Sequence, residues 1–193
     1  MASSFAQFLS SIINITADTS TEIESLGARK VLVDHELLFG AGQPFLKLLF
    51  LEKGLVRAYR IIDGKDVTFF FFTAGEFVVD YESYLRETPS TLFFEALIGG
   101  TYLEFSKSTI QGLYNEHPTF ERIGRIMAEN AYLSATHRLK EFQAEPLQTR
   151  YLKLLARNPE LFQKVPQYHI ASYLGVSPQS LSRIRARLQN KIY

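Results

Sequence analysis

The hydrophobic period of this chain changes twice, and those two changes limit its fold more than any single motif. Up to Gly27 the apolar residues recur at helical spacing, which predicts short helices over Phe5 to Ile13 and Thr19 to Gly27, the second with Ser20 or Thr21 as N-cap and Gly27 as its stop. From Ala28 to Ser106 the pattern shortens to β-rich runs: RKVLV, HELLF, LKLLFLE, LVRAYRII, DVTFFFFT, TLFFEAL and TYLEF. Gly40-Ala41-Gly42, Lys53-Gly54, Asp63-Gly64, Ala74-Gly75 and Gly99-Gly100 punctuate them as turns, and Phe69 to Phe72 reads as core. About seven strands at this spacing predict a sandwich or small barrel. From roughly Lys107 to Glu145 the pattern is helical again, interrupted around His117-Pro118, so the main helix is expected to begin near Thr119 or Phe120. Pro146 breaks it, and helical runs follow at Leu147 to Arg157, Tyr168 to Leu174 and Pro178 to Gln189.

The formal net charge of +1 conceals an asymmetry. Beyond Glu145 stand eight Lys or Arg against the single acid Glu160, a net +7, which leaves −6 for the rest. A basic segment on an acidic body is expected where one part meets a polyanion. The chain has no Cys, which excludes disulfides and thiolate metal sites. Its N-terminus lacks a basic signal-type region, and no apolar run approaches the roughly 18 residues of a membrane helix, so a soluble cytoplasmic protein without a membrane partner is expected.

The long helix needs a partner for its apolar side. Ile123, Asn130 and His137 stand seven apart, as do Ile126 and Leu133, with Met127 beside them, a heptad-like seam carrying polar residues at two positions. Self-association through this seam and ordinary packing against the strand region both fit.

The segment from Gln167 to Leu188 fills each constrained position of a helix-turn-helix. Ala171 is small where two helices cross, and Gly175 can take the positive φ of a tight turn. Ile170, Leu174, Val176, Leu181 and Ile184 are apolar at the spacing that packs the pair, and Ser177 precedes Pro178 as N-cap and first helical residue. That leaves Gln179, Ser180, Arg183 and Arg187 on a helix with no acid, suited to a major groove in which Arg pairs with guanine and Gln with adenine. Gln167 at the start of the first helix, Ser177 at the cap of the second and Lys191 after it complete the candidate DNA contacts, while His169 is expected at the surface.

The order of parts, with Gly75-Glu76-Phe77 among the strands and Ala171, Gly175, Ser177, Leu181 and Ser182-Arg183-Ile184 at the end, resembles the catabolite activator and fumarate-nitrate regulator family. The resemblance implies an α+β fold: an N-terminal double-stranded β-roll (jelly roll) over 1–118, a dimerisation helix over 119–145, and a winged helix-turn-helix over 146–193, with little room for a wing after Leu188. It implies a homodimer on double-stranded DNA, RNA polymerase as a further partner if the protein activates, and Arg183 as the guanine-reading side chain with Gln179 as a second base reader. Effector-pocket positions would be Gly75, Glu76, Asp80, Arg86, Ser90 and Thr91. Here the chain departs from the family's nucleotide-binding pattern. Val79-Asp80 and Pro89-Ser90 stand where a Gly-Glu pair and an Arg-Ser or Arg-Thr pair would hold the ribose and phosphate. Pro89 offers no phosphate partner, and Arg86 would have to reach from three residues earlier, so cyclic AMP is not expected as effector and no cofactor is assigned.

Two other classes compete. A β-roll can be a cupin-type metalloenzyme, but such sites gather two or three His with a carboxylate, and His35, His117, His137 and His169 are scattered, so no metal site and no catalytic residue is expected. A ligand-binding adaptor acting through protein contacts is the second alternative, and strong salt dependence on DNA would separate the two readings.

Overall fold

A computed structural model describes Ser4 to Gln189 and divides the chain into two compact units, one running to Tyr59 and resuming over Phe70–Glu129, the other formed by Arg60–Phe69 and the chain from Asn130 onward. In the first unit α1 (Phe5–Ile12) starts on a capping box, the Ser4 hydroxyl accepting from the Gln7 amide while the Gln7 side chain accepts from the Ser4 amide. The second helix, α2 (Ala17–Ser25), is capped by Thr16 and not by Ser20 or Thr21. Gly27 does not close it in a left-handed conformation; it lies where a Cβ would meet Leu103 and Phe105, so its small size serves packing.

The strands β1 (Ala28–Leu32), β2 (Leu37–Phe39), β3 (Lys47–Ile62), β4 (Lys65–Thr73), β5 (Phe77–Val78) and β6 (Phe93–Ser106) form one sheet in the order β1-β6-β3-β4, with β2 on β6 and β5 on β3. Two pairs of the expected runs are single long strands. Gly54 and Gly99-Gly100 make bulges where β3 and β6 cross, and the register shifts between Leu51 and Val56. Gly54 has φ +118°, and a Cβ on Gly100 would sit 1.9 Å from the Lys53 carbonyl oxygen, so only glycine lets these backbones meet. The alternation of β3 separates two cores. Leu49, Leu51, Val56 and Ala58 face the interior of the roll with Phe45, Phe94 and Ala96, while Leu48 and Phe50 face the helices with Phe5, Leu9 and Phe105. Of the Phe69 to Phe72 run, Phe72 packs against the interior, but Phe70 is 43% exposed, as an edge strand permits.

A six-residue helix between β5 and β6, α3 (Tyr81–Arg86), has no counterpart in the sequence expectation. After β6 come α4 (Lys107–Glu116), capped by Ser106, and the 27-residue α5 (Pro118–Ala144), whose first turns bury Phe120 and Ile123 in the helix-side core.

The second unit holds the far half of α5, then α6 (Leu147–Arg157), α7 (Leu161–Lys164), α8 (Gln167–Tyr173) and α9 (Pro178–Gln189). Its core is built from Tyr151, Leu154, Leu161, Val165, Ile170, Ala171, Leu174 and Leu181. The tip of the β3–β4 hairpin belongs to this unit as well. Among the described residues no strand follows Ser106, so no wing stands beside α9 there.

Candidate DNA interface and effector cradle

The turn between α8 and α9 is closed by backbone alone. Gly175, at φ +69°, donates to the Ser172 carbonyl (2.9 Å), and Val176 donates to the Ala171 carbonyl (3.0 Å), the paired bonds of a Schellman stop. Ala171 is fully buried at the crossing, as are Leu174 and Leu181, with Val176 and Ile184 half-buried around them. Gly175 has a second reason to be glycine: a Cβ there would lie 3.0 Å from the Phe142 ring. Ser177 caps α9, accepting from the Ser180 amide at 3.2 Å.

With Leu181, Ile184, Arg185 and Leu188 turned inward, α9 presents Gln179, Ser182, Arg183, Ala186 and Arg187 to solvent at spacings of three and four. Ser182 and Ala186 are additions to the residues expected from sequence, and the period could have supplied them. Ser180 is half-buried beside its cap, and Gln167 is exposed at the start of α8. Lys191 lies outside the described residues. His169 is 5% exposed, its ring tilted against that of Tyr168, contrary to the surface position expected, because it shares the buried side of α8 with Ile170.

The +7 of the C-terminal segment is unevenly available. Lys153 pairs with Glu145 (2.5 Å), Arg157 pairs with Glu141, and Lys164 pairs with Glu160 (2.7 Å). Arg150 donates to the Leu174 carbonyl (2.9 Å) and lies over the Phe142 ring. Among the described residues no acid pairs with Arg183, Arg185 or Arg187, so the uncompensated charge concentrates on α9. Arg183 donates to the Gln179 carbonyl of its own helix at 3.4 Å.

Along α5 the expected seam divides. Ile123 is spent in the helix-side core of the first unit, and Met127 packs against that core. Ile126 is half-buried, while Asn130, Leu133 and His137 are exposed, joined by Tyr132 (71% exposed), Leu139 (58%) and Phe142 (41%). Large apolar side chains this exposed on one helix are unusual in a monomer.

In the roll, Asp80 and Ser90 come together, but on each other. The Ser90 hydroxyl donates to Asp80 Oδ2 at 2.6 Å, and Asp80 Oδ1 caps α3 through the Ser83 amide at 3.3 Å. Ser83 in turn accepts from the Phe45 amide and donates to the Thr88 carbonyl. Gly75 and Glu76 build the β4–β5 turn, Glu76 accepting from the amide and hydroxyl of Thr73. Arg86 is exposed and pairs with Glu82 at 3.4 Å, and Thr91 is exposed. The interior beside them is filled by rings: Phe45 lies 4.6 Å from Phe39 and 4.9 Å from Phe94, centroid to centroid. The buried arginine of the roll, Arg57, pairs with Glu95 at 2.7 Å and covers Tyr59, on the strand face opposite Val56 and Ala58. Sequence reading passed over Arg57, although a lone Arg within an apolar strand is a signal. Among the described residues no group of three His or acidic side chains is placed to hold a metal ion, and no helix is long and apolar enough to cross a membrane.

No protein-family model matches the chain, and no curated protein sequence does. Solved structures do match. The FixK2 protein of Bradyrhizobium japonicum is 18% identical with a TM-score of 0.73, over 86% of this chain and 85% of that one. The c-di-GMP-responsive global regulator CLP of Xanthomonas campestris is 19% identical with a TM-score of 0.69, over 91% and 93%. The catabolite activator protein of Thermus thermophilus is 17% identical with a TM-score of 0.57, over 95% and 87%. At these identities the likeness shows the fold: a cyclic-nucleotide-binding-like roll, a long helix and a C-terminal helical domain of the catabolite activator type.

Proposed function

We propose that the protein is a dimeric, sequence-specific DNA-binding transcription regulator whose α9 enters the major groove. The observation that carries this reading is the outward stripe of α9, where Gln179, Arg183 and Arg187 are exposed with no acid paired to them among the described residues, on a helix held by a buried crossing and a glycine turn. Arg183 would give up only a 3.4 Å contact to the Gln179 carbonyl on meeting a base edge, and an Arg fork matches guanine while a Gln amide matches adenine. The exposed apolar side chains of α5 support pairing through Ile126, Leu133 and their neighbours, with Asn130 and His137 setting the register. Such a dimer presents two copies of α9, which calls for an inverted repeat with half-sites about 34–36 Å apart. The names of the fold relatives, a global regulator and a catabolite activator among them, agree with a gene-regulatory role.

The roll's own contacts favour an effector domain that does not take cyclic AMP. Asp80 and Ser90 are bonded to each other, and no Arg stands at Pro89 to compensate a phosphate. Selection of bound fragments from genomic DNA with the purified protein tests the reading. A recovered inverted repeat supports it, and retention of random sequence only, or of none, overturns it.

A further inference from the structure

Ser172 is a polar residue of α8 that faces neither the buried crossing nor the stripe of α9. Its hydroxyl accepts from the Thr68 amide at 2.9 Å and donates to the Asp66 carbonyl at 3.3 Å. These two backbone groups, two residues apart, point to the same side of β4, and β4 ends the sheet order. A serine hydroxyl is at once donor and acceptor, so one side chain satisfies an N–H and a C=O of an edge strand, as a neighbouring strand would. A second tie lies beside it. Arg138 of α5 donates to the Phe69 carbonyl, and its guanidinium lies 4.1 Å from the centroid of the Tyr173 ring, the residue after Ser172. Thr68 is buried under these contacts. The hairpin tip, the end of α5 and the first helix of the helix-turn-helix are thus strapped together at three strand positions, Asp66, Thr68 and Phe69.

We propose that Ser172 and Arg138 are positioning residues for DNA binding: they hold the helix-turn-helix on the tip of the β3–β4 hairpin, so that DNA affinity depends on a hairpin that touches no DNA. The proposal rests on the DNA-binding reading above. The strap grips α8 and leaves Gln179, Arg183 and Arg187 exposed, so it orients α9 without covering it. In a dimer both copies of α9 must meet the groove together, and any freedom of α8 on its support lowers the fraction of molecules ready to bind.

The test uses the full chain and a selected operator duplex. Ser172→Ala removes both bonds without adding bulk, and Ser172→Thr restores the hydroxyl. Expected for Ser172→Ala are faster amide hydrogen exchange at Thr68 and an operator affinity lowered about three- to ten-fold, the worth of one or two net hydrogen bonds. The slope of log affinity against log salt and the discrimination that depends on Arg183 stay as in the wild type, because no phosphate or base contact is lost. Ser172→Thr recovers both exchange protection and affinity. Wild-type affinity in Ser172→Ala with Thr68 deprotected overturns the strap, as does a changed salt slope, which would make Ser172 a phosphate contact. If Ser172→Ala does not fold, Arg138→Lys carries the same test, since it keeps the charge and loses the fork that reaches Phe69. A wild-type protein that retains no duplex overturns the DNA-binding reading itself, a result distinct from a strap variant that binds as tightly as wild type.

Discussion

In the roll, Asp80, Ser83 and Ser90 use their hydrogen-bonding capacity on one another and on nearby backbone, and the space beside them is filled by Phe39, Phe45 and Phe94. On α9, Gln179, Ser182, Arg183 and Arg187 project to solvent, while Glu141, Glu145 and Glu160 of the second unit pair with Lys153, Arg157 and Lys164. Both regions carry residues that can bind a ligand. The difference is whether binding would first have to break internal bonds. Each buried partner lost from the cradle costs about 1–3 kcal/mol, whereas α9 gives up only water and one long contact to its own backbone. Availability, and not residue type, separates the structural polar cluster from the proposed recognition surface.

The largest expected effect tests the open side through its support. Replacing Ile126 and Leu133 together by Asp should give monomers in sedimentation and lower operator affinity by about 10²–10⁴-fold, the usual loss when two linked binding events become independent. A monomeric wild type at micromolar concentration would remove this basis for an inverted repeat. The closed side is tested by Phe45→Ala, which should cost about 3–5 kcal/mol in denaturant unfolding, as truncation of a packed ring does. A loss below about 1 kcal/mol would mean that the interior tolerates a void and has room for a ligand.

Much of the open side was legible in the sequence because its rules are local. Ala171, Gly175, Ser177 and the apolar spacing lie within a few residues of one another, and each has one structural use. The closed side was less legible because one residue type serves two ends. Gly54 and Gly99-Gly100 read as turns, since turns and bulges both need glycine, and only pairing of β3 with β6 decides between them. The resemblance put Asp80 in an effector pocket, although a carboxylate before a short helix is equally an N-cap, and six residues of α3 are too few to show a period. Ile123 shares the seven-residue spacing of the seam, yet that spacing cannot tell a partner helix from the core of its own unit. The charge count likewise missed that Glu141 and Glu145, just before the basic segment, neutralise Lys153 and Arg157 within it.

A smaller effect sharpens the distinction between reading and anchoring on α9. Arg183→Ala should cost about 1–3 kcal/mol at the selected operator and relax preference at one guanine in each half-site. Arg187→Ala should instead weaken operator and scrambled duplex alike and flatten the dependence of log affinity on log salt by about one unit. Titrations on both duplexes at several salt concentrations separate the two. Equal loss on operator and scrambled DNA for Arg183→Ala would make Arg183 a backbone anchor.

The smallest expected effect is none. Cyclic AMP should neither raise the protein's stability nor change its affinity for the operator, and Arg86→Ala should leave both within about 0.5 kcal/mol, as for an exposed surface substitution. The reasoning is steric as well as electrostatic. A nucleotide in the roll would have to displace rings that already touch, separate Asp80 from Ser90, and bury a phosphate near Pro89, while Arg86 is held at the surface by Glu82. A ligand that binds only the folded state at a hundred times its dissociation constant adds about 2.7 kcal/mol to stability, an effect that thermal unfolding resolves easily. If cyclic AMP at millimolar concentration raises the unfolding temperature by several degrees, and Arg86→Ala abolishes that rise, the cradle opens on binding and the contrast between a closed roll and an open α9 does not hold.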